Sequence, residues 1–132
     1  MKLCMIVTGY VGLGSGVCFS DVGNVVYCVD KDKNKIDSLN KGKVPIYEPG
    51  LEEILKRNHK AKRLFFTSDL NEAVKKSDII FICVGTPTKK KSISKYKIII
   101  TKSTVPVTTG YKIEKILIKL KKKKTDRCCF KS

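Results

Sequence analysis

No membrane-length apolar run occurs in these 132 residues. The longest, Ile79-Ile80-Phe81-Ile82-Cys83-Val84, falls far short of the ~20 residues that a spanning helix needs, so no membrane segment is predicted. Zinc ligation is excluded as well. Six cysteines and one histidine are present, but there is no CxxC pair and no Cys/His spacing of a zinc site. Nor do the cysteines read as a disulfide framework. Cys4, Cys28 and Cys83 fall in predicted apolar strands and Cys18 in a predicted helix, where they are expected to pack as small hydrophobes. The vicinal pair Cys128-Cys129 lies in a polar tail with no electropositive pocket assigned to it, and reads as incidental rather than catalytic. Acid is scarce: 12 Asp and Glu stand against 28 Lys and Arg, a formal net charge of +16. Such an excess favours nucleic acid or an anionic surface. Yet the lysines are spread along the whole chain, with runs at Lys89-Lys90-Lys91 and Lys121-Lys122-Lys123-Lys124, and lack the aromatic interleaving of a single-strand groove. They read as solvated surface, and no nucleic-acid partner is expected.

The length suits one domain with a real core, without room for a second of similar size. Apolar content of 42% beside 30% charged residues suits a soluble globular chain. Leu3 already opens the first predicted strand, which leaves no room for a leader peptide, so a cytoplasmic location is expected.

Apolar runs and helical stripes alternate along the chain. Leu3 to Val7 reads as a strand buried on both faces. Val11 to Val22 reads as a helix ended by Gly23-Asn24, with Gly12 and Gly16 about one turn apart and suited to close packing on a sheet. Val25 to Asp30 is a second strand, and Asp32 caps a short helix over 33–39. A Gly/Pro loop over 42–50 precedes an amphipathic helix marked by Leu51, Ile54 and Leu55. Leu64 to Phe66 is a short strand, and Ser68 or Asp69 caps a helix carrying Leu70, Ala73 and Val74. Ile79 to Val84 and Lys97 to Thr101 are further strands, and a last helix from about Thr109 buries Ile113, Ile116, Leu117 and Leu120. Strands alternating with helices predict an α/β fold with a Rossmann-like doubly wound parallel sheet.

One crossover helix of that fold is missing from the pattern. Parallel neighbours need a connection of at least ~10–12 residues. The segment from Gly85 to Tyr96 is barely that long and carries Pro87, three lysines and the isolated aliphatic Ile93. Either the strand at Lys97 pairs in another way, or one face of the sheet lacks its cover and becomes an aggregation liability.

The first strand runs into Thr8-Gly9-Tyr10-Val11-Gly12, a helix follows, and the second strand ends on Asp30. A dinucleotide needs this layout. Backbone N–H groups at a helix N-terminus face the pyrophosphate, and a carboxylate about 20 residues further on accepts from the adenosine ribose. The first glycine of the fingerprint is absent, since Val7 stands in its place.

Four blocks in order extend the pattern: Thr8-Gly9-Tyr10-Val11-Gly12-Leu13, Pro45-Ile46-Tyr47-Glu48-Pro49-Gly50-Leu51, Val84-Gly85-Thr86-Pro87 and Lys102-Ser103-Thr104-Val105-Pro106-Val107. With them the chain resembles the NAD-binding domain of the UDP-glucose 6-dehydrogenase family, which also includes GDP-mannose and UDP-N-acetylmannosamine dehydrogenases. Its members oxidise a sugar C6 alcohol to a carboxylate in two NAD-dependent steps. The resemblance implies NAD as cofactor, with Thr8, Gly9, Tyr10, Val11 and Gly12 forming the pyrophosphate turn and Asp30 holding the adenosine ribose beside Lys35. It places Thr86 along the cofactor, and Thr104 near the nicotinamide, where it helps to position a catalytic water. On this reading residues 1–124 form the NAD-binding domain, shortened at 88–96, and residues 125–132 are an unassigned tail.

Departures from the family pattern carry their own expectations. A β-branched residue at Val7 resists unusual backbone angles, so NAD binding about ten- to hundredfold weaker than with glycine is expected. Thr108 stands where the family often has glycine. The nucleophilic cysteine motif, and the catalytic lysine and asparagine, do not occur in this sequence. Cys83, Cys128 and Cys129 lack the context of that thiol. The leading expectation is therefore the cofactor half of a UDP-glucose 6-dehydrogenase, inactive alone, taking a nucleotide sugar only when the missing part is supplied. The alternatives are another nucleotide-sugar dehydrogenase, a non-catalytic nucleotide- or partner-binding module, and a basic nucleic-acid binder on an eroded core.

Overall fold

A computed structural model describes residues 1–6, 9–45, 47–83, 98–101 and 130–131. Among the described residues six strands form one sheet: β1 (Lys2–Ile6), β2 (Val25–Val29), β3 (Leu64–Thr67), β4 (Ile79–Ile82), β5 (Ile98–Thr101) and β6 (Phe130–Lys131). Their order is β3-β2-β1-β4-β5-β6, and every neighbouring pair is parallel. This is the strand order of a doubly wound nucleotide-binding sheet, with its direction of progression reversing between β1 and β4. The strand before Thr101 lies parallel beside β4, so the alternative in which it pairs elsewhere is ruled out. The shortened connection over 85–96 and the helix expected from Thr109 lie outside the described residues. The tail left unassigned by sequence contributes β6, a two-residue strand beside β5.

Strand side chains alternate between two cores. On one face Leu3, Met5, Val26, Cys28 and Leu64 pack against α1 (Tyr10–Asp21), α2 (Lys33–Asn40) and α3 (Leu51–Lys60) through Leu13, Val17, Ile36, Leu39 and Leu55. On the other, Cys4, Val29, Ile80, Ile82 and Ile99 meet Ala73, Leu70 and Val74 of α4 (Leu70–Lys76). Both faces of the central strands are thus dry, which explains their unbroken apolar sequence. Leu13, Leu39, Leu55 and Leu64 are fully buried, and each contributes about 1.5–3 kcal/mol by leaving water. Among the described residues no helix is long and apolar enough to cross a membrane.

The helices begin and end by local chemistry. Asp32 caps α2 by accepting from the Asn34 and Lys35 amides. Asp69 rather than Ser68 caps α4, accepting from Asn71 and Glu72. Three helices close with the same pair of backward bonds. The Gly23 and Asn24 amides bond Ser20 and Phe19, those of Gly42 and Lys43 bond Leu39 and Ser38, and those of Lys62 and Arg63 bond His59 and Asn58. The motif needs a left-handed residue. Glycine supplies it at Gly23 and Gly42, but at the end of α3 the position is Lys62, with φ of 55°.

One packing expectation is corrected. Cys4 and Cys28 are buried and Cys83 is half-buried, but Cys18 is exposed. The residues of α1 that face the sheet are Gly12, Leu13, Gly16, Val17 and Ser20. At ~100° per residue this phase turns Cys18 toward solvent.

Candidate functional site

Ile6 closes β1 opposite Val29, the last residue of β2. Across the reversal point, the Cys83 N–H donates to the Ile6 carbonyl at 3.1 Å, and Ile82 is registered opposite both Ile6 and Thr101. The carboxyl ends of β1, β2, β4 and β5 therefore share one edge, where ligands bind in sheets of this order.

From that edge the chain enters α1. Gly9 is its N-cap and brings no side chain to cap with. The first intrahelical bond is Leu13 N–H to Gly9 carbonyl at 2.8 Å. The amides of Tyr10, Val11 and Gly12 precede it and have no carbonyl within the helix to bond. No acidic residue occupies the first turn, so the helix itself brings no charge to offset the positive end of its dipole. Nothing among the described residues lies within 4 Å of the Cβ position at Gly9. The arrangement accepts an anion.

The helix is held close to the sheet at its middle. A Cβ at Gly16 would come within 2.8 Å of Cys28 Sγ and 3.3 Å of Met5 Cγ; only glycine allows this approach. Burial pushes the Cys28 thiol well above its ordinary range, so it packs there as a neutral sulfur. At its far end α1 is tied to α3. Arg57 and Asn58 donate to Asp21 Oδ1 at 2.7 and 2.9 Å, and those bonds, led by Arg57, hold the Asp21 carboxyl below the usual range. Asn58 is fully buried; it also donates to the Ile54 carbonyl and accepts from Arg63 Nε, each at 3.0 Å.

Asp30 follows β2 directly, one residue past Val29, the register partner of Ile6. It is 6% exposed. Its N–H donates to the Thr67 carbonyl at 3.2 Å. Its Oδ1 accepts from the Asp32 N–H and its Oδ2 from Lys35 Nζ, each at 3.1 Å. The Asp32 cap fixes the start of α2, and the first turn of that helix brings half-buried Lys35 back onto Asp30. The carboxylate is thereby held in one orientation at the edge of the sheet.

Of the residues singled out from sequence, Gly9, Tyr10, Val11, Gly12, Asp30 and Lys35 gather at this edge. Val7, Thr8, Thr86 and Thr104 lie outside the described residues. Glu48, quoted from sequence in the second of the four blocks but given no role, places its Oε2 3.9 Å from the Cβ position at Gly14 on α1. Sequence reasoning missed the Asp21–Arg57–Asn58–Arg63 network, which carries no local signal because Asp21 is far from its partners along the chain.

The sequence profile of the UDP-glucose/GDP-mannose dehydrogenase family, NAD binding domain, matches residues 1–131. The chain is 45% identical over 135 aligned residues to the UDP-glucose 6-dehydrogenase of Rhizobium meliloti (strain 1021), covering 89% of this chain and 31% of that protein. It is 44% identical over 138 residues to UDP-glucose 6-dehydrogenase TuaD of Bacillus subtilis (strain 168), covering 92% and 30%. A ternary-complex crystal structure of GDP-mannose dehydrogenase from Pseudomonas aeruginosa superposes with a TM-score of 0.80 at 32% identity, covering 98% of this chain and 35% of that one. The chain thus spans about a third or less of the length of these relatives. The parallel sheet, the uncapped first turn and the carboxylate at the end of β2 carry the same meaning as the sequence match: the chain belongs to the UDP-glucose/GDP-mannose dehydrogenase family, as its NAD binding domain.

Proposed function

We propose that the chain is the NAD-binding portion of a UDP-glucose 6-dehydrogenase, which converts UDP-glucose to UDP-glucuronate with NAD, and that it is inactive alone. The observation that carries the reading is the juxtaposition of Asp30 with the uncapped amides of α1 across the registered ends of β1 and β2. The donor set suits the cofactor: amides for a pyrophosphate and a buried, oriented carboxylate for ribose hydroxyls. Similarity to the two UDP-glucose 6-dehydrogenases supports the choice of substrate.

On this proposal Thr8, Gly9, Tyr10, Val11 and Gly12 form the pyrophosphate turn, Asp30 and Lys35 hold the adenosine ribose, Thr86 lies along the cofactor, and Thr104 orients water near the nicotinamide. When bound, NAD supplies the hydride acceptor. Oxidation through an aldehyde needs a thiolate and acid–base partners, and the family's cysteine, lysine and asparagine motifs do not occur in this sequence. The nucleotide sugar is therefore proposed to bind only with the missing part supplied. The domain is proposed to run over 1–124 with a shortened connection at 88–96, the tail adding its edge strand. A cytoplasmic location is proposed, since the thiols of Cys18 and Cys28 are unpaired and suit a reducing compartment.

A second reading keeps the NAD site but assigns another nucleotide sugar, since the superposed GDP-mannose dehydrogenase shares the fold at 32% identity. Calorimetric titration of the full chain with NAD and ADP-ribose tests the site, and absorbance at 340 nm in the presence of UDP-glucose tests turnover. Binding without NADH production is expected. Absence of binding contradicts the cofactor assignment, and robust turnover contradicts inactivity.

A further inference from the structure

Residues Lys56-Arg57-Asn58-His59-Lys60-Ala61-Lys62-Arg63 hold five Lys or Arg and no acid in eight positions. They form the C-terminal part of α3 and the step into β3. Arg63 directly precedes β3, so the cluster lies at the amino-terminal edge of the parallel sheet, opposite the proposed cofactor edge. The dipole of α3 accounts for cations in its last turn, where Arg57, His59 and Lys60 sit. It does not account for Lys62 and Arg63, which lie past the helix end. Lys62 moreover stands in a left-handed conformation that favours glycine, a backbone cost of the kind that gathers at binding sites.

Two of these cations are held in place. Arg57 Nη2 donates to Asp21 Oδ1 at 2.7 Å. Arg63 Nε donates at 3.0 Å to Oδ1 of Asn58, which itself donates to the same Asp21 oxygen at 2.9 Å. Asn58 is fully buried, so both guanidinium groups share one internal anchor and are oriented before any ligand arrives. Lys60 is a neighbour of Arg57 on the helix surface, three residues on. Asp21 pairs with Arg57, and Glu52 with Lys56. Among the described residues Lys60, Lys62 and Arg63 form no ion pair, so positive charge exceeds its partners within the fold.

We propose that this cluster is a phosphate-backbone site for nucleic acid: Arg57, Lys60, Lys62 and Arg63 contact phosphodiester oxygens and read no bases. Guanidinium forks match phosphate geometry, and a row of cations suits a polyanion, since each contact releases condensed counterions. Residues 56–63 present no large exposed apolar side chain. They therefore lack the aromatic or aliphatic anchor of a protein interface and a platform on which bases could stack. Charge alone gives no reason to expect a nucleic acid; the shared anchor of Arg57 and Arg63, invisible in the sequence, does.

Fluorescence anisotropy of a labelled duplex DNA titrated with the full chain tests this. Binding is expected at low salt, with log affinity falling against log salt by about 0.9 for each phosphate contacted. Lys60→Gln with Lys62→Gln alters two exposed side chains and is expected to weaken binding severalfold and lower that slope by about two. Arg63→Gln is expected to lower it by about one. Lys31→Gln with Lys33→Gln removes an equal charge beyond the other edge and is expected to leave the slope unchanged. No binding at low salt, equal losses in the two double variants, or polyglutamate bound as tightly as the duplex overturns the inference. So does displacement of the duplex by saturating NAD, which would move the contact to the cofactor edge. The inference is independent of the NAD reading: a chain that binds duplex at this cluster but takes no NAD retains the one and loses the other.

Discussion

Gly16→Ala probes the contact that seats α1 on the sheet, and two opposing effects set its sign. Alanine favours a helix interior over glycine by about 1 kcal/mol. Against this, the new methyl would lie 2.8 Å from Cys28 Sγ, about 1 Å inside ordinary van der Waals separation. Cys28 is fully buried on a central strand, so the overlap is relieved by shifting the helix or rotating the thiol, at about 1–3 kcal/mol. The net expectation is a loss of about 0–2 kcal/mol, read as a lower urea midpoint at unchanged m-value. Cys28→Ala removes the sulfur that the methyl meets. In that background Gly16→Ala loses its principal clash and is expected to become stabilising by up to about 1 kcal/mol. Urea unfolding of the four chains measures both effects. The reversal of sign, rather than the size of either loss, is the diagnostic. If Gly16→Ala has the same sign and size with and without the sulfur, the close approach of α1 to β2 is wrong, and with it the position of the α1 amides relative to Asp30.

Lys62→Gly is expected to stabilise the chain by about 1 kcal/mol, because the left-handed end of α3 costs a side-chain-bearing residue that much; thermal unfolding measures it. The depressed Asp21 pKa gives a pH dependence of known sign. Its contribution is present above the unfolded carboxylate value of about 3.9 and is lost as pH falls through the lower folded value, so Asp21→Asn is expected to flatten the acid limb of stability below about pH 4; urea midpoints from pH 2 to 7 check this. Val7→Gly is expected to tighten NAD binding by about tenfold or more, and equal affinities of the two chains in titration contradict the expectation.

Legibility in the sequence followed the range of the interaction. The path from β1 through Gly9 and α1 to Asp30 could be read because strand, glycine turn and terminal acid are contiguous, and each has a local physical signature. The cap at Asp32 was legible for the same reason. At the start of α4, Ser68 and Asp69 were equivalent by type, and the Thr67 hydroxyl bonding the Asp69 N–H helps to set which of them caps. Asp21 and Arg57 bond across 36 residues, and no local pattern announces such a pair. The end of α3 was obscured because lysine occupies a position where glycine or asparagine is the usual sign. Cys18 was misread because residue type suggested burial while helix phase dictated exposure. β6 has only two residues, too few for any periodicity to register.

The central claim is that the first-turn amides of α1 and the Asp30 carboxylate form one nucleotide-binding edge. Nuclear magnetic resonance of the nitrogen-15-labelled chain titrated with NAD tests it directly. The account predicts that the largest amide shifts fall on Tyr10, Val11, Gly12 and the Asp30–Lys35 turn, saturating together with one affinity. Shifts confined to the opposite edge of the sheet, near Lys2, Arg63 and Asp78, or a first turn of α1 that does not respond at saturating NAD, would contradict it.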